Sequence, residues 1–361
     1  MVDGAGFAGI KQHLEKAVRG GRVQWQLLRR FYSTHTEVRD SPYIDAANEN
    51  IESNMRWKRG DRLRLVKESE APVRTREIFV EVQRSLGLGA VPVLYQAYAI
   101  FPEFLEVHWE VFRPVVETRQ FFLLGARLAA ESYTRTHNYL EVPNLAEREA
   151  GPTAAGGLAL SQVLDYYQYL DPLLLVLAAA QLQAFEGPIG QSRESADPAQ
   201  HPSFPVAPHM LNDEEATPAV QHIWEQRRHL LELAFIADEH RALACWPDFY
   251  QRYWPALKEQ LQSPLYADCQ GRISESALKL ARELPGCVET TIPRLMEAGL
   301  DGERLSSLAR MSEALVPAMA ELLLDITFAR IGCEGGTCGE SPQLPRRLAP
   351  EAPPGAPTRA A

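Results

Sequence analysis

Three consecutive residues, Asp238, Glu239 and His240, stand between two apolar runs, Leu233–Ile236 and Ala242–Trp246. A carboxylate embedded this way resists ionisation and can act as a general base. Acidic residues are also favoured at the start of a helix, where they face the positive end of its dipole. The residues alone leave base and cap both open. Asp171, just before Pro172, has the same two readings, a cap for a helix starting at Pro172 or a carboxyl facing a cavity. His222 and His229 lie on a charged segment and read as a solvated face rather than a metal pair. His108, beside Trp109, reads as a structural histidine. There is no HExxH, phosphate-binding loop or GxSxG, and no metal is expected.

The acidic cluster belongs to the second of two similar stretches. Ala234–Trp254 is matched by Gly89–Trp109: Phe101-Pro102 corresponds to Trp246-Pro247, with 247 − 102 = 145. Ala97, Ala99, Phe104 and Trp109 recur as Ala242, Ala244, Phe249 and Trp254 at the same offset. Glu70-Ala71 recurs as Glu215-Ala216, and Leu170 and Pro172 as Leu315 and Pro317. A constant offset over such a span signals internal duplication. The copies share their apolar pattern and differ where Asp238 and Glu239 face Val93 and Leu94, which suggests one scaffold with one site.

The elements that must position these residues are helices. Ile78, Val82 and Leu86 keep helical spacing. Gly87-Leu88-Gly89 ends that helix; it is no dinucleotide fingerprint, because Pro92 stands where a third glycine would be and no strand precedes it. Val93–Ile100 predicts a short buried helix, and Pro102 opens the next at a position that tolerates its missing N–H. Phe122–Tyr133 predicts another. Leu158–Leu170 and Pro172–Phe185 are expected as a pair broken at Asp171-Pro172, since a residue before proline leaves the helical region. Leu305–Leu315 and Pro317–Ile331 read as separate helices in copy two, and no alternating strand pattern appears. The expected fold class is all-α, with two tandem helical pseudo-repeats related by a pseudo-twofold axis. The expected domains are an N-terminal helical extension over 1–66, repeats over 67–185 and 211–332, a Pro-rich linker over 186–210, and a disordered tail over 333–361.

The net charge of −10 argues against a general nucleic-acid binder, which would carry a basic stripe. The longest apolar run, Pro172–Leu182, falls short of the ~18 residues that span a bilayer. The N-terminal stretch lacks a signal-peptide pattern, so a cytoplasmic location and no membrane contact are expected. The cysteines are Cys245, Cys269, Cys287, Cys333 and Cys338, an odd set without zinc-like CxxC spacing. They are expected reduced. Cys245 reads as a core residue, and a disulfide between Cys333 and Cys338 stays open.

The stretch ending in Trp246-Pro247, the turn Pro143-Asn144-Leu145 and the pre-proline site Asp171-Pro172 together resemble the group I 2-haloacid dehalogenases, the DehI family, over about residues 66 to 332. The resemblance implies an all-α homodimer with the site buried between two pseudo-repeats, and a hydrolysis that needs no cofactor. A carboxylate activates water, which displaces halide from C2 of a small 2-halocarboxylic acid with inversion and no ester intermediate. Anchored on Trp246-Pro247, the family's catalytic carboxylate falls on Glu239, with Asp238 one place away as the fallback. The implied substrate-binding positions are Asp171, where the family has Asn; Thr118; and Ala90 and Val93, where the family has bulky aromatics. The family's Glu one turn after the Thr is Phe122 here. A diverged helical scaffold that binds a small molecule or partner without turnover is the alternative.

Overall fold

The computed structural model describes residues 65–146, 157–191, 197–199, 202–231 and 236–337. The expected N-terminal extension, except its last two residues, lies outside the described residues, as do Cys338 and the rest of the tail beyond residue 337. The first half forms α1 (Val73–Leu86), α2 (Val93–Tyr98), α3 (Pro102–Val116), α4 (Arg119–Tyr139) and α5 (Leu160–Ala184). The second half forms α6 (Pro218–Leu231), α7 (Asp238–Leu243), α8 (Pro247–Leu261), α9 (Pro264–Ala281), α10 (Ile292–Glu297) and α11 (Gly302–Cys333). Among the described residues no strand forms, only isolated bridges such as Ile189 with Val288. The protein is all-α. No helix among the described residues is long and apolar enough to cross a membrane.

Local sequence explains the helix starts. Pro102 and Pro247 each take a first-turn position, where a backbone N–H has no helical partner anyway. Thr118 caps α4 by accepting the Phe121 N–H at 3.3 Å, and Ser263 caps α9 by accepting the Tyr266 N–H at 3.1 Å. The first residues of α6, α7, α8 and α9 follow those of α1, α2, α3 and α4 by one offset, 218 − 73 = 145.

The long helices α5 and α11 form the spine, with α4 and α9 packed against both. Every residue of α5 from Leu170 to Gln181 is buried, the signature of a helix enclosed on all sides. The crossing with α4 is close: a Cβ on Gly125 would stand 2.4 Å from Leu173 Cδ2. The break expected at Asp171-Pro172 does not occur, because Pro172 lies inside continuous α5 and Pro317 inside continuous α11. An interior proline costs about 3 kcal/mol, whereas each buried Leu contributes roughly 2 kcal/mol. Leu170, Leu173, Leu174 and Leu175, all buried around Pro172, outweigh the lost backbone bond.

The Pro-rich segment after α5 is a strap tied to the helices, although its composition reads as a linker. Ile189 and Val288 exchange backbone hydrogen bonds of 2.9 Å, Arg119 N donates to Asp197 O at 2.9 Å, and Phe204 N donates to Gly87 O at 2.7 Å. The Phe204 ring sits against Tyr166 and Tyr169 of α5, with centroids 5.5 and 5.1 Å away. Gly89 admits the strap: a Cβ there would lie 2.4 Å from the Pro205 carbonyl oxygen. The first tail residues also pack, contrary to expectation. Tyr133 donates its O–H to Glu334 at 2.8 Å, and Thr337 N donates to Val142 O at 2.9 Å. Cys245 is half-buried rather than core, with its thiol 3.4 Å from His209 O.

Candidate active site

A cavity lies where α2, α5, α7 and the strap meet. Its volume, about 20 Å³ available to the centre of a water molecule, holds a water where polar partners exist. Ala90 and Val93 line one side, Tyr166, Tyr167, Leu170 and Leu174 a second, Ala207, Pro208 and Met210 a third, and Asp238 with Glu239 a fourth. Among the described residues no Lys or Arg lines it.

Asp238 and Glu239 occupy the first turn of α7, and the capping position before them belongs to Ala237, which makes no side-chain cap. Neither residue is the N-cap, but both sit in the first turn, where the helix dipole favours acidic side chains as expected. Asp238 is partly exposed. Glu239 is 2% exposed, and its Oε2 meets no hydrogen-bond partner among the described residues. Burial, reinforced by the charge of Asp238, pushes the Glu239 carboxyl up to about 8. Asp171 sits mid-helix in α5, 2% exposed, and neither of its oxygens meets a hydrogen-bond partner among the described residues. Burial and the charge of Glu239 push it well above the usual carboxylate range.

The short helix α7 is fixed from both sides. Arg241 donates to Leu211 O at 2.9 Å and to Asp213 at 2.8 Å, and its guanidinium lies over the Trp224 ring at 4.9 Å. Beneath Glu239, His240 Nε2 lies 3.0 Å from Asp325 Oδ2 and its Nδ1 lies 3.2 Å from Tyr250 Oη. Asp325 also accepts from Arg227 at 2.8 Å and from Tyr266 at 2.6 Å. Burial and the Arg227 charge push His240 down to about 4, so the ring is neutral at pH 7. A neutral ring with Nε2–H donating to Asp325 leaves Nδ1 to accept from Tyr250.

A family described as "Halocarboxylic acid dehydrogenase DehI" matches residues 89–240, a span that begins at the cavity wall and ends just after Glu239. The chain is 24% identical over 288 residues to an (R)-2-haloacid dehalogenase of Pseudomonas putida, covering 73% of this chain and 91% of that protein. It is 23% identical to a protein of the same name from Rhizobium sp. (strain NHG3), covering 62% of this chain and 88% of that one. Over residues 89–240 the chain is similar to the DehI family. The fold is shared with solved structures: a D-2-haloacid dehalogenase mutant in complex with D-2-CPA matches at TM-score 0.67 and 22% identity, covering 75% of this chain and 96% of that one. The same enzyme type in complex with L-LA matches equally, also at TM-score 0.67.

Of the residues singled out in the sequence, Ala90, Val93, Asp238 and Glu239 come together at the cavity, and Asp171 adjoins Glu239. Thr118 does not join them. Its one O–H is donated to Val115 O at 2.7 Å within the cap of α4, which leaves no donor for a substrate anion. Phe122 stacks on Tyr169, centroids 6.1 Å apart. Sequence reasoning missed Tyr166 and Tyr167, whose helical spacing reads as core, and the strap residues Ala207, Pro208 and Met210. Among the described residues no group of His, Cys, Asp and Glu forms a metal site.

Proposed function

We propose that this protein hydrolyses the carbon–halogen bond at C2 of a short 2-haloacid, with Glu239 activating the attacking water. The observation that carries this reading is Glu239 itself, a buried carboxyl with an unpaired oxygen at a cavity, lying within the stretch that matches the DehI family. The names of the Pseudomonas and Rhizobium relatives support the reaction class.

Ionised Glu239 takes a proton from water, and the water oxygen bonds to C2 as the C–X bond breaks and halide leaves with the bonding pair. The products are a 2-hydroxy acid, halide and a proton. Attack opposite the leaving group inverts C2. A base titrating at about 8 is stronger than an ordinary carboxylate and is poised near working pH. The small cavity favours acids of two or three carbons. Asp238, Ala90 and Val93 share the cavity wall with Glu239 in this reading, and Asp171 adjoins Glu239.

The matching helix starts support a tandem duplication, with Leu94 in the copy-one place of Glu239. Trp109 donates to Glu81 at 2.7 Å and Trp254 donates to Gln226 at 2.9 Å, an agreement at the same offset that favours a pseudo-twofold relation.

The test is halide release from each enantiomer of 2-chloropropionate, with the configuration of the lactate product determined. Stoichiometric halide with inverted lactate is the expected result. Absence of halide from every short 2-haloacid would favour the non-catalytic scaffold.

A further inference from the structure

We infer that Asp171 works as the protonated member of a carboxyl pair, donating its O–H to the Glu239 carboxylate and so holding it toward the cavity. This rests on the proposed hydrolytic reading and makes Asp171 a positioning residue.

The geometry carries the inference. Asp171 is buried in the middle of a helix spine, and neither of its oxygens meets a donor among the described residues; Glu239 Oε2 is in the same position. Asp171 on α5 and Glu239 on α7 stand on helices in contact, and each carboxyl acts on the other. Two bare carboxylates in contact in a low-dielectric interior do not both ionise, so a single shared proton satisfies both groups.

The surrounding charges set which oxygen keeps it. Asp171 faces Glu239 and Asp238 from α7 and Asp325 from α11, all of which disfavour its anion. Glu239 faces Asp238, but also feels Arg227 of α6 and the Asp171 donor, which both favour its anion. The Tyr166 and Tyr167 hydroxyls on α5 are neutral, pushed up by burial and by these same carboxyls. The proton therefore rests on Asp171 and the charge on Glu239. This matters for an anionic substrate, because among the described residues the cavity lining has no Lys or Arg: a second bare carboxylate would repel the acid that must enter.

The experiment compares wild type with Asp171→Asn, which keeps a neutral N–H donor, and Asp171→Leu, which removes it. Two readouts are used: the pH profile of kcat/KM with 2-chloropropionate, and the infrared band of a protonated carboxylic acid recorded well above pH 8, where Glu239 is mostly ionised. Wild type is expected to show a falling alkaline limb as Asp171 loses its proton, and the carboxylic-acid band. Asp171→Asn should lose less of kcat than Asp171→Leu, lose the alkaline limb and lose the band. Asp171→Leu should lose at least about tenfold in kcat, with its acid limb displaced to higher pH. An alkaline limb that persists in Asp171→Asn, equal rates in Asn and Leu variants, or a band unchanged by Asp171→Asn would overturn the inference. If wild type releases no halide, the band still decides: its loss in Asp171→Asn upholds the shared proton while the hydrolytic reading falls, and its absence from wild type rejects the pair.

Discussion

His240 Nε2 lies 3.0 Å from Asp325 Oδ2, and both side chains are fully buried. This contact ties α7, the helix carrying Glu239, to the middle of α11. Burial alone would raise the Asp325 carboxyl, but the Arg227 charge and the bonds from His240 and Tyr266 outweigh it and hold it below its ordinary value. Replacing Asp325 by Leu leaves Arg227, 1% exposed, without its nearest anion. The expected loss is about 3–5 kcal/mol, read as a lower urea midpoint at unchanged m-value. Because the folded carboxyl is held low, its contribution is present above the unfolded value of about 3.9 and disappears as pH falls through the folded one. The difference between Asp325→Leu and wild type should therefore shrink in acid. A difference that is small at pH 7 or grows in acid would remove the charge cluster from the account of α7.

Glu239 gives the opposite pH dependence. Its folded value, about 8, lies above the ordinary 4.5, so its contribution to stability is full below the unfolded value and is lost as pH rises through the folded one. Glu239→Gln carries no such loss. Its stability relative to wild type should rise between those two values by up to about 1.4 kcal/mol per pH unit, measured by denaturant midpoints across that window. A constant difference would mean that Glu239 is solvated like a surface carboxylate.

The sequence revealed the helical class and the place of the acidic cluster because both depend on local pattern. Ile78, Val82 and Leu86 repeat at helical spacing, and Glu239 interrupts an apolar run that Leu94 continues in copy one. Pro172 misled because preference before proline is local, whereas the burial of Leu173 and Leu174 that overrides it is tertiary. The strap was unreadable for the same reason: prolines and serines predict irregular backbone, not the Gly87 carbonyl that receives Phe204 N. Thr118 was drawn into the site by family position alone, and its hydroxyl belongs to the start of α4.

Gly89 is a point of close approach beneath the strap. Gly89→Ala would place its Cβ 2.4 Å from Pro205 O and 2.9 Å from Ala207 N, both backbone atoms. The strap must shift, and overpacking of this kind costs about 1–3 kcal/mol. Because Ala207, Pro208 and Met210 line the cavity, KM should rise more than kcat falls. Wild-type stability and KM in this variant would show that the strap does not shape the cavity.

The tail begins with structure. Truncation after Gly332 removes Glu334, which accepts from Tyr133, and Thr337, which bonds Val142. Two such bonds contribute about 1 kcal/mol each, so the melting temperature should fall by several degrees in a thermal scan. An unchanged melting temperature would show that these contacts add nothing to stability.

The measurement that bears most directly on the proposed reaction is halide release by Glu239→Gln beside wild type and Asp238→Asn, at saturating 2-chloropropionate and with the fold of each variant checked by circular dichroism. The account predicts halide from wild type, a rate in Glu239→Gln reduced at least about a hundredfold, and a smaller loss in Asp238→Asn. Full activity in folded Glu239→Gln, or abolition by Asp238→Asn alone, would contradict it.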